Sequence, residues 1–413
     1  MILNVVKRKK IIFCIFSQVF LLFFILTSFE ILKAEDFSDI TNSDDNSKIF
    51  WFTLISDTHI GTPDANDTNR LNSFFKSVKS VINPKFIINA GDLTDHVRCN
   101  LLTGGRTCDH LAQWKEYANL IDANKIQLDF YSDAPGNHDQ YWENIPLLYY
   151  RDYSVQGKAT GENQRSWLFD AGYGTYKFIT IATPHPGYTN AFDDRAAGCP
   201  SELSDDELNF IENALMYENN VNLTFIFGHH PVQNLVIGRT RFLELLNHFG
   251  VAMYGYGHTH RYSDSSRISS NTLNLNVGSL WERGQYAIIA IDNNGISVSQ
   301  AIINQWPAII ITKPLDRTLG GVNPQAYPIS PSQNNKIRVL VFGSMPTSQV
   351  LYRVDGLGSW LPLNKVRSLS NNNSHLWETT SWNTTTLSPG IHTLQVKAVG
   401  LRTRYDTVTF EIK

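Results

Sequence analysis

The sequence predicts an α/β domain followed by a small all-β domain, on three observations. Short β-rich runs alternate with amphipathic helical stretches through the first part of the chain. Runs after residue 270 lack helices between them. Beyond Trp306-Pro307 the pattern reduces to short β runs separated by turns.

In chain order, β-rich runs fall at 49–55, 85–89, 128–134, 176–182 and 221–227. Between and after them the apolar spacing predicts helices over 69–82, 111–123, 205–217 and 240–249. The third helix opens on Ser204-Asp205-Asp206-Glu207, where serine and glutamate can satisfy each other's backbone N–H groups, and Leu208, Ile211 and Leu215 form its apolar stripe. Runs at 273–277, 286–291 and 296–302 look antiparallel. The apolar run 308–312 then gives way to a Pro- and Gly-containing stretch through Pro331. The reading is therefore a first domain over 48–305, a linker over 306–335 and a second domain over 336–413. Runs at 337–342, 349–354, 375–379, 392–399 and 407–412 have the spacing of a small β-sandwich.

The N-terminus reads separately. Lys7-Arg8-Lys9-Lys10 precedes an apolar run over 11–29 and then Leu32-Lys33-Ala34. This predicts a signal peptide over 1–34, cleaved after Ala34, with a polar flexible leader over 35–47 and an exported destination: secreted, periplasmic or lumenal. The run is long enough that an uncleaved membrane anchor stays open. No later apolar run approaches ~20 residues, so no transmembrane span is expected after the signal.

The 413 residues are enough for two domains, and 42% hydrophobic with 18% charged residues is ordinary for a folded chain. Net charge is −3, and removing residues 1–34 leaves 30 basic residues against 37 acidic ones. Binding to a nucleic-acid backbone is thereby disfavoured. Cys99, Cys108 and Cys199 would survive cleavage. Cys99 and Cys108 bracket Gly104-Gly105 and form the favoured disulfide, with Cys199 free or paired with one of them instead. None has zinc-finger spacing.

Five short clusters carry the chemistry: Asp57-Thr58-His59, Gly91-Asp92, Gly136-Asn137-His138-Asp139, Gly228-His229 and Gly257-His258-Thr259-His260. Each places carboxylate, amide oxygen or imidazole after a short apolar run, so the ligands should gather in loops at one sheet edge and form a two-metal site. Side chains two apart point the same way if the backbone is extended, so Asp57 with His59, and His258 with His260, would share a pocket. Glycine before Asp92, Asn137, His229 and His258 permits sharp turns and close backbone approach. A single histidine has an ordinary explanation in a core or a loop. Five clusters in register do not.

These residues resemble the calcineurin-like metallophosphoesterases, whose pattern runs Asp-x-His, Gly-Asp, Gly-Asn-His-Asp/Glu, a strand-ending His and Gly-His-x-His. Every element is present, and the resemblance covers about residues 48–300. It implies two packed sheets flanked by helices, an αββα sandwich. It also implies that Asp57, His59 and His260 hold one metal, that Asn137, His229 and His258 hold the other, and that Asp92 bridges them. His138 would donate a proton to the leaving oxygen or steady the phosphate. Two cations ~3.5–4 Å apart can share a hydroxide and stabilise both attacking and leaving oxygens. Asp95 and Asp139 are adjacent carboxylates, either orienting ligand histidines from behind or solvated in loops. Oxygen and imidazole ligands without thiolate suit manganese, iron, zinc, cobalt or nickel. Leu93-Thr94-Asp95 after Asp92 lacks the tyrosine that purple acid phosphatases carry there.

A narrower resemblance comes from the segment 306–314 and the β domain after it. Together they look like a branch of predicted eukaryotic transmembrane metallophosphoesterases, which continue into C-terminal spans that this chain lacks. Residues 387–396 resemble a late strand of immunoglobulin-like modules, which implies a packing or binding role for that domain. Phosphodiester hydrolysis is favoured because the clusters are similar to the small cyclic-nucleotide and glycerophosphodiester-type members. Gly228-His229-His230-Pro231 is similar to sphingomyelinase-like relatives and suggests a lipid headgroup diester. His185 and His230 are candidate substrate contacts, and Arg195 or Arg165 a candidate phosphate contact. The alternatives are a phosphomonoesterase or nucleotide pyrophosphatase on the same site, or a non-catalytic metal-binding or adhesive protein acting through the β-sandwich.

Overall fold

The structure is a computed structural model and describes residues 45–62, 66–95, 110–217, 220–268, 271–320, 323 and 325–413. Its first strands are β1 (Ile49–Ile55), β2 (Ile87–Asn89), β3 (Tyr131–Asp133), β4 (Arg165–Asp170), β5 (Thr175–Thr180) and β6 (Ser201–Glu202). There follow β7 (Leu223–Phe227), β8 (Leu235–Ile237), β9 (Met253–Tyr256), β10 (Tyr262–Arg267), β11 (Leu273–Val277), β12 (Gln285–Asp292) and β13 (Gly295–Ile302). One sheet has the order β13-β12-β1-β2-β3 and a second the order β10-β11-β9-β7-β5-β4.

Strand β1 shows why two sheets pack. Its Phe50, Phe52 and Leu54 face the second sheet, in a core with Phe178, Phe225 and Phe227, while Ile49 and Ile55 belong to a cluster on the opposite face. Alternation at period two is what a strand buried on both sides requires. Helices Asn66–Ser77 and His110–Ala123 cover the outer face of the first sheet with Phe74, Phe75, Trp114 and Tyr117. Helices Asp205–Met216 and Arg239–His248 cover the second through Leu208, Ile211 and Phe242. Ser204 and Glu207 form the reciprocal cap read from the sequence. The layers run helix, sheet, sheet, helix.

Two expectations need correction. Strand β11 pairs antiparallel with β10 but parallel with β9. A short helix, Leu280–Arg283, lies between β11 and β12, capped by Ser279.

The remaining strands are β14 (Ala308–Lys313), β15 (Arg338–Phe342), β16 (Gln349–Val354), β17 (Leu361–Pro362), β18 (Asn364–Ser368), β19 (His375–Glu378), β20 (Gly390–Val399) and β21 (Thr403–Ile412). They form two four-stranded antiparallel sheets, β14-β15-β19-β18 and β17-β16-β20-β21. Strand β14 lies where the sequence reading placed a linker. Its Ile309 and Ile311 enter the core between these sheets, whereas Ile310, with Leu340, Phe342 and Leu376, joins the helix-side core of the first domain. The rings of Trp51 and Phe342 meet at 5.3 Å across this contact. Fully buried Arg338 spans it as well, with Nη1 2.7 Å from Asp292 and Nε 2.5 Å from Glu378. Residues 45–47, read as leader, are tied down: Asn46 donates to Glu378 at 3.2 Å and accepts from Arg367 at 2.9 Å. The rest of the leader, the signal and the Cys99–Cys108 loop lie outside the described residues. Among the described residues, no helix is long and apolar enough to cross a membrane.

Candidate metal centre

All five clusters sit just beyond the carboxyl ends of mutually parallel strands: β1, β2 and β3 in one sheet, β7 and β9 in the other. Open α/β sheets place their sites at this edge. The local backbone differs from the extended form expected. Asp57, His59, Asp92, His258 and His260 have φ between 46° and 68°, the left-handed region. That conformation is costly for residues with a Cβ and clusters at functional sites. Glycine is required where the loops meet. A Cβ on Gly136 would lie 2.1 Å from Asp92 Oδ1, and one on Gly257 1.8 Å from Ser56 Oγ.

Hydrogen bonds behind the ligands fix which nitrogen faces inward. His59 Nδ1 lies 3.2 Å from Asp95 Oδ1, His260 Nδ1 3.0 Å from Glu282 Oε1, and His229 Nδ1 2.8 Å from the Ala90 carbonyl. Carboxylates and carbonyls only accept, so each Nδ1 carries the proton and each ring turns inward an Nε2 that takes either a second proton or a cation. The Nε2 atoms of His59 and His260 are 3.1 Å apart, with Asp57 Oδ1 3.2 Å from the latter. His229 Nε2 is buried without a hydrogen-bond donor, 3.0 Å from Asp92 Oδ2. Asn137 Oδ1 lies 3.1 Å from His258 Nδ1. Asp92 gives Oδ1 to the His138 backbone N–H at 3.0 Å, while Oδ2 lies 3.0 Å from His229 and 3.6 Å from His59. Such converging electron pairs repel unless positive charge lies among them. The donor set therefore fits cations, and the clustered His and Asp groups could hold two.

The same carboxylates favour positive charge on these rings. Burial opposes charge on His59, yet Asp57, Asp95 and Asp92 hold its pKa well above the ordinary value. Burial opposes His229 too, but Asp92 and Asp57 bring it up to about 9. Asp57, against its own burial, is held far below the carboxylate range by His260 and His59. Asp92 is likewise lowered, against burial, by His229 and His138. His138 differs: burial brings it down to about 4, against the pull of Asp92. Its Nδ1 donates to the Asp95 carbonyl at 2.5 Å, and its Nε2 is 3.8 Å from Asp92 Oδ2.

The site opens into a cleft of ≈ 300 Å³ whose lining includes His138, Tyr141, Arg195, Cys199, Trp281 and Glu282. Asp95 backs His59 as expected. Asp139 touches no histidine. Its carboxylate accepts from the backbone N–H groups of Leu93, Thr94 and Gly136 at 2.8–3.1 Å and locks two ligand loops together. His185 pairs with Glu202 at 3.3 Å and does not line the cleft. His230 is fully buried, bonded through Nδ1 to Thr183 at 2.8 Å, with its ring 4.9 Å from that of His229 and 4.5 Å from that of His258. Arg165 donates to the Leu128 carbonyl and stacks on Trp167, whereas Arg195 lines the cleft. Among the described residues Cys199 has no disulfide partner. Segment 96–109 lies outside the described residues. Glu282, Tyr141, Asp194 and Trp281 were not singled out from the sequence. Of these, only Glu282 had a signal, as third residue of a helix opened by Ser279.

The family model for calcineurin-like phosphoesterases matches residues 50–262, just over half of the chain. The chain belongs to this calcineurin-like metallophosphoesterase family. The family binds divalent metal ions, and the clustered His and Asp groups here could hold two. Membership supports a metal-dependent phosphoester hydrolase. Transmembrane protein 62 of Mus musculus is 25% identical over 364 residues, covering 85% of this chain and 53% of that protein. An Arabidopsis thaliana protein carrying a metallophosphoesterase name is 21% identical over 407 residues, covering 81% and 53%. The chain thus spans about half the length of these curated relatives. Among solved structures, GAP50, the anchor in the inner membrane complex of Plasmodium, is 13% identical with a TM-score of 0.41, covering 62% of this chain and 85% of that one.

Proposed function

We propose that this chain is an exported dinuclear-metal phosphodiesterase in which His138 donates the proton to the leaving oxygen. The observation that carries the reading is the inward convergence of three Nε2 atoms with Asp57 and Asp92 at 3.0–3.2 Å. Asp57, His59 and His260 would hold one ion and Asn137, His229 and His258 the other, with Asp92 shared. Divalent ions held there supply Lewis-acid charge to the phosphoryl group and acidify a water for attack. His138, anchored through Nδ1 on Asp95, presents Nε2 to the cleft. The half-buried, neutral ring would take up a proton from solvent in the cleft when the anionic substrate approaches, and pass it to the ester oxygen as the P–O bond breaks.

Charge supports a diester over a monoester. Among the described residues the cleft offers one guanidinium, Arg195, beside the carboxylates of Asp92, Asp95 and Glu282. A monoanionic diester meets less repulsion there than a dianionic monoester. Trp281, whose ring lies 5.3 Å from that of His59, gives an apolar wall for a second ester group. Export rests on the N-terminal basic and apolar runs read from the sequence.

The test is hydrolysis of bis-(p-nitrophenyl) phosphate and p-nitrophenyl phosphate by metal-stripped protein resupplied with manganese, zinc or iron, beside Asn137→Ala. The expected result is metal-dependent cleavage of the diester ahead of the monoester, lost in the variant. Preference for the monoester would overturn the diester assignment.

A further inference from the structure

Asn137 is the one amide among the proposed ligands. An amide can turn either end to an ion, and only its oxygen binds. Both ends of Asn137 are accounted for. Its Nδ2 donates to Tyr141 Oη at 2.5 Å and to Asp194 Oδ2 at 3.0 Å, while Oδ1 points at His258. Tyr141 in turn donates to the same Asp194 oxygen. Asn137, Tyr141 and Asp194 are all buried, with 2%, 1% and 1% of their surface exposed, so water does not replace these bonds. Asp194 comes from the helix Ala191–Ala196, which Asn190 caps by accepting from Phe192 and Asp193. Its carbonyl also accepts from the Cys199 backbone N–H at 2.8 Å, which fastens the helix to the loop after it.

We propose that Asp194, with Tyr141, is a positioning pair that holds the Asn137 amide oxygen toward the second metal position. The inference rests on the dinuclear reading above and adds residues to it. With both N–H bonds engaged by acceptors, a flipped amide would set its oxygen against the Asp194 carboxylate and strand the NH₂ among ligand nitrogens. Each change costs a buried hydrogen bond and adds repulsion. A carboxylate accepting from the NH₂ also draws electron density toward Oδ1 and makes it the stronger ligand. Asp194 touches neither ion nor substrate and acts only through Asn137.

The test is metal titration of the full chain, stripped and then supplied with zinc against a competing chelator, for wild type, Asp194→Ala, Tyr141→Phe and Asn137→Ala. The expected result is two ions in wild type. In Asp194→Ala one of the two should bind about 10–100-fold more weakly, with the other unchanged. Tyr141→Phe should move the same ion in the same direction by less. Asp194→Ala placed on Asn137→Ala should add little, because the two act as a unit. Equal weakening of both ions, or full additivity with Asn137→Ala, would assign Asp194 a merely structural role and overturn the proposal. So would unchanged affinities in Asp194→Ala and Tyr141→Phe while wild type binds two ions. Wild type binding fewer than two ions would instead overturn the dinuclear reading, and this inference with it.

Discussion

Asp92 divides its carboxylate between two tasks: Oδ1 is spent on the His138 backbone, and Oδ2 stands between the histidine groups. Asp92→Ala should therefore lose both ions, as read by metal analysis, together with turnover. His138→Ala should keep both ions and lose about 10²–10⁴-fold in turnover; metal content falling with activity would remove the proton role. Away from the centre, Glu143 is buried, and burial raises its carboxyl to about 7 although Leu148 and Tyr149 donate to it. A raised folded-state pKa means stability present below the ordinary glutamate value and lost as pH rises through about 7. Glu143→Gln should flatten the fall in unfolding free energy between pH 5 and 8, a contribution of at most about 3 kcal/mol, followed by denaturant melts. The seven proposed ligands and Asp95 were legible because donor type and glycine spacing are local properties. Asp194 and Glu282 were not, because each reaches its histidine or amide across the fold. A Gly-His-His-Pro run does not disclose that its second ring is fully buried beside His229 and His258.

At the scale of elements, the centre depends on loops that touch because glycine lets them. Gly136→Ala would drive a methyl into Asp92, whose backbone nitrogen is 2.3 Å from that Cβ position. The variant should bind metal about 10–100-fold more weakly while keeping its far-UV circular dichroism; unaltered affinity would show that the loop yields. Strands with dense apolar and β-branched sequence were legible, and the runs 49–55, 273–277 and 349–354 coincide with β1, β11 and β16. Strand β9 was missed because its four residues include Gly255 between two tyrosines and Gly257 follows it. Strand β4 was missed because it is an edge strand with alternate residues exposed. That β11 runs parallel to β9 is a matter of long-range pairing, on which local pattern is silent. Extended backbone at Asp57-Thr58-His59 was the natural expectation from spacing, whereas Asp57 and His59 adopt left-handed φ of 54° and 46°.

At the scale of the molecule, the C-terminal sheets share a core with the first domain. Ile310, Leu340, Phe342 and Leu376 pack in the cluster that holds Ile49, Ile55 and Phe74. Arg338, fully buried between Asp292 and Glu378, ties the two together. Arg338→Ala leaves two buried carboxylates uncompensated and should cost about 3–5 kcal/mol in denaturant unfolding; a loss below ~1 kcal/mol would mean the pair is solvated. The composition change after Pro307 made the C-terminal all-β sheets legible, but not their docking, because an apolar run such as Ala308–Lys313 does not reveal which two cores its faces serve. The measurement that bears most directly on the account counts ions and turnover together: stripped full-length protein is titrated with manganese while diester hydrolysis is followed. Two ions per chain, with hydrolysis appearing as the second binds and absent in Asp92→Ala, is the predicted result. Undiminished hydrolysis without metal, or two bound ions with no phosphoester cleaved, would contradict it.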